Sequence, residues 1–319
     1  MHSLQPLLSA FVPIWILTAI GYLVSRTGLL GDQAEPVLGR FVFHVAMPAA
    51  LFTMLAKAPL HSFANPSMVA FAAGTVAASL LGWAAARWLF GRRPADQAIA
   101  GMAAGYVNSA NLGIPVAVQV LGDASFVGPV LLFQVLLVTP VILGALDAGT
   151  DQGTGTSRLL RMVRLPLRNP IILASALGVL CSATGFRLPG ALGHSCELLG
   201  AAGVPTALVT LGMSLHARPV PERAPQAPTH RAEVGLAVLA KNLVQPLVAF
   251  AVGSLLLHLT AHQLLAVVVC SALPTAQNVF IYARQYGLST ALPRDSVLFS
   301  TLLSMVTLST VDWALATTH

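Results

Sequence analysis

Ten stretches of apolar residues, most of them about twenty long, leave this chain few ways to fold. A helix needs roughly 20 such residues to cross a bilayer. The stretches are Leu7–Val24, Pro36–Leu55, Pro66–Phe90, Ala98–Leu121, Phe126–Leu146, Pro170–Thr184, Gly193–Leu215, Glu233–Leu257, Gln263–Tyr286 and Pro293–Leu315, numbered here as spans 1 to 10. Only 9% of the 319 residues are charged and 56% are hydrophobic, whereas a soluble domain carries about 25% charged residues. A soluble protein of this size has no means of hiding so much apolar surface. The expected class is an all-α polytopic membrane protein with ten transmembrane helices.

The charges support the count. With the N-terminus outside, the inner loops and helix ends hold fourteen arginines, among them Arg26, Arg40, Arg87, Arg92, Arg93, Arg284 and Arg294. The outer side holds Lys57 and Arg187, and Lys241 falls within span 8. Such a bias orients membrane proteins with their positive loops inside, and it puts both termini outside. The net charge of +6 is therefore read as a topology signal; its scatter over short loops excludes a nucleic-acid surface. The N-terminus lacks a basic region and an A-x-A site, so span 1 is expected to stay uncleaved. Cys181, Cys196 and Cys270 lack ligand spacing and read as small apolar residues.

Span 4 contains the least comfortable stretch, GYVNSANLGIPVAVQ from Gly105 to Gln119. Two asparagines, two glycines and a proline break a helix, and broken backbone survives in a membrane only where protein or a water-filled cavity covers it. Span 9 holds a second break, CSALPTAQNVFIY from Cys270 to Tyr282. The breaks belong to a repeat. MPAALFTM in span 2 matches VPTALVTL in span 7, with Pro48 and Pro205 separated by 157 positions; Pro115 and Pro274 are separated by 159. Residues 1–150 thus form a first five-helix repeat, residues 151–168 a cytoplasmic linker, and residues 169–319 a second repeat. Five spans is an odd number, so the second repeat is inverted. Transporters built this way bind substrate at broken helices near the midplane.

The candidate substrate-binding residues are Asn108, Asn111, Gly113 and Pro115 in span 4, with Pro274, Gln277 and Asn278 in span 9. Pro115 removes a helical hydrogen bond near Asn111 and Gly113 loosens the same turn. Half-helices beginning near the two prolines aim N–H groups and positive dipole ends at the crossing, which suits an anion. Lys241 has three readings: a partner for a substrate carboxylate, a fixed charge in the place of a coupling cation, or a side chain snorkelling to the inner headgroups. His44 is a packing residue or a proton relay. Glu197 is a proton site or a helix N-terminal charge, and Asp147 and Asp312 are interfacial. No HExxH, G-x-S-x-G or Gly-rich phosphate loop occurs, so no enzyme, metal or cofactor is expected, and transport is driven by a gradient or is passive.

YVNSANLGIPVA in span 4, KNLVQP in span 8 and PTAQNVFIYARQYG in span 9 resemble the matching motifs of the auxin efflux carrier family. Bacterial members of that family are described as permeases of malate, malonate and similar anions. The resemblance implies an elevator: spans 1, 2, 6 and 7 form a scaffold that supports a homodimer, and spans 3–5 and 8–10 form a transport domain. It implies that broken helices 4 and 9 cross at Pro115 and Pro274, with Asn111 beside the crossing. The expected function is secondary transport of small organic anions, monocarboxylate or dicarboxylate, across a bacterial inner membrane. Proton or sodium coupling stays open, with Lys241 favouring a mechanism without sodium. The alternatives are an anion receptor, and a cation/proton antiporter, which would need a carboxylate pair that spans 4 and 9 lack.

Overall fold

The computed structural model describes residues 4–57, 65–121, 125–150, 170–186, 188–216 and 228–316. The linker expected at 151–168 lies outside them, and so do the side chains of Asn111, Pro115 and Asp312. Among the described residues the chain is helical and forms no strand. The helices are α1 (Leu4–Thr27), α2 (Ala34–Ala56), α3 (Pro66–Trp88), α4 (Pro94–Gly105), α5 (Ile114–Leu121), α6 (Val127–Thr150), α7 (Pro170–Thr184), α8 (Gly190–Ser214), α9 (His230–Leu256), α10 (Ala261–Ala272), α11 (Asn278–Gln285) and α12 (Ala291–Ala316). Of these, α2, α3, α6, α8 and α9 are long and apolar enough to cross a membrane. Two segments that hydropathy reads as single spans are each divided, one into α4 and α5, the other into α10 and α11.

Prolines elsewhere are accommodated within helices without dividing them. Wide turns, with hydrogen bonds from residue i to i+5, occupy Val42–Ala46, Gln134–Val138 and Ala240–Val244, two residues ahead of Pro48, Pro140 and Pro246. A proline ring has no N–H and collides with the carbonyl one turn back. One extra residue in that turn gives the carbonyl room to tilt away. Ser109–Gly113 plays the same part ahead of Pro115, so this proline is absorbed within a continuous helical segment.

Packing sorts the helices into two groups. In one, α1 packs on α8, and α2 on α7 and α8. In the other, α3 packs on α4 and α9, α4 on α6, α9 on α10 and α12, and α10 on α5. The groups touch where α1 meets α5 and α12, where α11 meets α2 and α8, and where Leu132 and Val135 of α6 cluster with Leu55 of α2. The helices α1 and α8 approach each other closely. A Cβ at Gly21 would overlap the Val209 carbonyl, and one at Gly212 would overlap the Thr18 carbonyl. Small residues let membrane helices approach this closely, gaining dispersion contacts in place of a hydrophobic drive.

Ion pairs tie the helix ends together. Arg92, between α3 and α4, grips buried Glu233 of α9 at 2.6 and 3.0 Å. The hydrogen bond to that carboxylate, opposed by burial, holds the guanidinium above its ordinary pKa. Glu35 at the start of α2 pairs with Arg284 of α11. His230 meets Asp295 at 2.9 Å, joining α9 to α12.

Candidate functional site

The two divided segments cross each other. Tyr106 (φ −88°, ψ 110°) and Leu273 (φ −58°, ψ 146°) carry the chain out of α4 and α10 in extended conformation. Proline favours that conformation in the residue before it, which accounts for Leu273 ahead of Pro274. Val107 then pairs antiparallel with Thr275. The Asn108 N–H donates to the Pro274 carbonyl at 2.8 Å, and the Ala276 N–H donates to the Tyr106 carbonyl at 3.1 Å. Each break therefore supplies backbone partners that the other has lost.

Side chains satisfy further carbonyls. The Thr275 hydroxyl donates to Ala103 O at 2.7 Å, Gln134 Nε2 to Val107 O at 2.9 Å, Lys241 Nζ to Ser271 O at 2.7 Å and Ser304 Oγ to Ala272 O at 3.1 Å. The Thr275 N–H donates to Ser300 Oγ at 3.0 Å. Unpaired polar groups cost about 1–3 kcal/mol each when buried, so these caps are what make broken backbone tolerable. Val107 and Leu273 belong to one apolar cluster, and Tyr106 and Ala276 to another. The crossing lies between the two, in surroundings of low polarity that strengthen its hydrogen bonds. Gly105 fits against Ser79 and the Thr75 carbonyl, where a Cβ would collide. Gly113 leaves room for Val127, so α6 closes on the wide turn.

The expected site residues separate into those at the crossing and those beyond it. Pro274, Asn108, Gln277 and Asn278 are there; Asn108 and Gln277 are each 2% exposed. Gly113 is buried against α6. Asn111 lies within the wide turn that opens the second half of span 4. The crossing does not fall at Pro115. It falls at Tyr106–Asn108, where the first half has valine and no proline, and Pro115 follows near the start of α5. The backbone continues as helix from the wide turn through Pro115.

Lys241 is fully buried, so the snorkelling reading fails. Its ammonium sits on a carbonyl at the C-terminal end of α10, where the helix dipole favours a cation. Its neighbour Asn242 donates to Ser300 O and Ser304 Oγ of α12, and Gln245 donates to Thr75 of α3. Glu197 is paired with Lys57 on the exposed ends of α8 and α2. Asp147 accepts from the Tyr286 hydroxyl at 2.7 Å. His44 is exposed and its Nδ1 lies 3.1 Å from Arg40 O within its own helix.

Several groups at the crossing remain open. The N–H groups of Gln277 and Asn278, at the start of α11, meet no acceptor among the described residues, and no side chain caps that helix. Asn108 Oδ1, Ser109 Oγ, Gln134 Oε1 and Gln277 Oε1 are buried and meet no partner among the described residues. The Tyr106 hydroxyl, 3.0 Å from Thr139 Oγ1, stands beside Gln134 and Asn278. Buried carboxylates lie elsewhere: Glu35 and Glu233 are each paired with arginine. Gln134, Tyr106, Thr139 and the serines of α12 were not among the expected site residues. The spacing of Ser296, Ser300 and Ser304, four apart and so on one face of span 10, was the available signal.

The membrane transport protein family matches residues 6–147 and 154–311. A Rhizobium meliloti protein proposed to be a malonate transporter is 28% identical over 305 residues, 93% of this chain and 92% of its own. An uncharacterised transporter of Methanothermobacter thermautotrophicus is 26% identical over 313 residues, 97% of either chain. Auxin efflux carrier component 6 of Arabidopsis thaliana is 28% identical over 142 residues, 43% of this chain and 24% of its own. This chain is a multi-pass member of the membrane transport protein family, the family of the auxin efflux carriers.

Proposed function

We propose that this protein is a secondary transporter of small organic carboxylates, binding its substrate at the crossing. The observation that carries this reading is the open start of α11. Two N–H groups that meet no acceptor among the described residues head a helix whose dipole favours negative charge, in surroundings of low polarity. Asn108 and Gln277 add buried amides beside it, and Asn111 is assigned to the same site from its place in the wide turn that follows Asn108. The absence of an unpaired carboxylate there, among the described residues, argues against a proton or cation antiporter. The similarity to a protein proposed to carry malonate supports carboxylates as the class.

Ten spans in two inverted five-helix repeats accommodate both broken helices in equivalent positions. In this reading the group of α1, α2, α7 and α8 is the scaffold and the dimer surface. The other helices slide against it as an elevator, in a bacterial inner membrane with both termini on the periplasmic side. Each group packs chiefly on itself, which supports such movement. Lys241 takes the place of a coupling cation, because its ammonium already occupies the C-terminal end of α10. Transport then runs without sodium.

Uptake of labelled malonate, and of other short carboxylates, into proteoliposomes tests the proposal. Replacing Asn111 or Asn108 by alanine lowers uptake at least about tenfold, the value of one charge-assisted hydrogen bond. The variants still purify as monodisperse protein. Full uptake by both variants would overturn the site, and sodium dependence would overturn the role of Lys241.

A further inference from the structure

The caps at the crossing all come from one group of helices. Gln134 lies on α6, Lys241 on α9, and Ser300 and Ser304 on α12, and their bonds to the broken backbone stay within that group. The crossing can therefore move as a unit. Among the described residues, the hydrogen bonds that join the two groups gather toward one end, where α2 and α12 begin and α8 and α11 finish. Glu35 of α2 pairs with Arg284 of α11. Arg294 Nη1 of α12 donates to the carbonyl of Ser214, the last residue of α8, at 3.3 Å. Gln285 Nε2 of α11 lies 3.4 Å from His44 Nε2 of α2. An aromatic contact stands between this end and the crossing. Phe43 of α2 is buried and meets the ring of Tyr282 edge-on, with centroids 5.7 Å apart, and that of Tyr286 at 6.4 Å. Tyr282 follows Asn278 by one turn of α11, and Arg284 comes just beyond it.

We infer that Phe43 with Tyr282, and Glu35 with Arg284, form a gate that shuts the crossing off from the cytoplasmic end and latches the two groups in this arrangement. The inference rests on the reading of these groups as a scaffold and a moving domain. The charges make the latch reversible. Arg40 of α2 acts on Arg284 through its charge, and Arg294 acts on Glu35, so the carboxylate stands among three arginines. In place, it offsets the repulsion between Arg284 and Arg40, which belong to opposite groups. Its side chain is 11% exposed and that of Arg284 23%, so water reaches both as they part, and separating them costs far less than separating a fully buried pair. The aromatic contact parts as easily. The Tyr282 hydroxyl bonds to Thr139 of its own group, so no polar group is stranded when its ring leaves Phe43.

Double electron–electron resonance tests the latch on the full chain in lipid nanodiscs, with no substrate present. Spin labels are attached at Leu29→Cys, after α1, and at Leu89→Cys, after α3, both exposed positions on opposite groups. The background carries Cys181→Ser, Cys196→Ser and Cys270→Ser. The labelled parent gives one dominant distance. Glu35→Gln raises the ratio of a second, displaced population to the first at least about tenfold, the value of one charge-assisted hydrogen bond. Adding Arg284→Gln brings that ratio back toward the parent's, because the repulsion from Arg40 goes with the guanidinium. A distance distribution in Glu35→Gln identical to the parent's overturns the gate. No return in the double variant overturns the part given to Arg40. Should Glu35→Gln fail to purify, a covalent bridge decides. His44→Cys and Gln285→Cys, joined by a short bifunctional methanethiosulfonate, lose carboxylate uptake and regain it with a reductant, whereas undiminished uptake by the bridged protein overturns the gate. Absence of carboxylate uptake by the wild type overturns the substrate reading instead, and the distance measurement still decides the gate.

Discussion

The two breaks at the crossing look alike and are made differently. In the second half, Pro274 forces Leu273 into extended conformation and opens the helix directly. In the first half the chain leaves α4 after Gly105, at Tyr106 and Val107, with no proline until α5. What the breaks share is a bonding pattern: Tyr106 and Pro274 give carbonyls, Asn108 and Ala276 give N–H groups, and side chains cap further carbonyls. The place where a membrane helix opens is thus decided by which backbone groups find partners. Proline is one route to the opening and is neither necessary, as Val107 demonstrates, nor sufficient, as Pro48, Pro140 and Pro246 demonstrate.

Substitutions at matched positions break or sharpen this comparison. Ala276→Pro removes the N–H that holds the Tyr106 carbonyl and has the largest expected effect, about 3 kcal/mol or more, seen as loss of monodisperse protein in detergent. Thr275→Val strips the cap from Ala103 O and costs about 1–3 kcal/mol in thermal unfolding. A smaller loss would mean that the caps do not sustain the break. Val107→Pro should have the smallest effect. Tyr106 already has the backbone that precedes a proline, and the Val107 N–H has no acceptor among the described residues. The expected outcome is neutral or stabilising by about 0.4–1 kcal/mol in the same unfolding assay, because the unfolded chain loses freedom. A large destabilisation would show that the two breaks are not equivalent.

Much of this architecture was legible in the chain. Apolar segments placed the helices within a few residues, because hydrocarbon length and the demand for internal hydrogen bonds allow little else. Polar residues beside Pro115 and Pro274 identified which segments break. The position of the first break was not legible, since a wide turn that absorbs Pro115 depends on packing of Gly113 against Val127. Gln134 was equally hidden. A lone polar residue in an apolar span has the same local sequence whether it caps a distant carbonyl or packs against a neighbour, and Val107 is reached only through the tertiary fold. Lys241 was recognised as unusual, but its partner, a carbonyl left free by the end of α10, exists only because span 9 is broken.

The most direct test of the anion site is a distance. The carboxylate with the largest uptake, labelled with ¹³C at its carboxyl carbon, is bound to membrane-embedded protein labelled with ¹⁵N at asparagine and glutamine. Rotational-echo double-resonance NMR then measures carbon–nitrogen dephasing. The account predicts strong dephasing by the backbone nitrogens of Gln277 and Asn278, at hydrogen-bonding separation of about 3–4 Å, and its loss when excess unlabelled acid is added. A bound carboxylate that shows no dephasing from these nitrogens would contradict it.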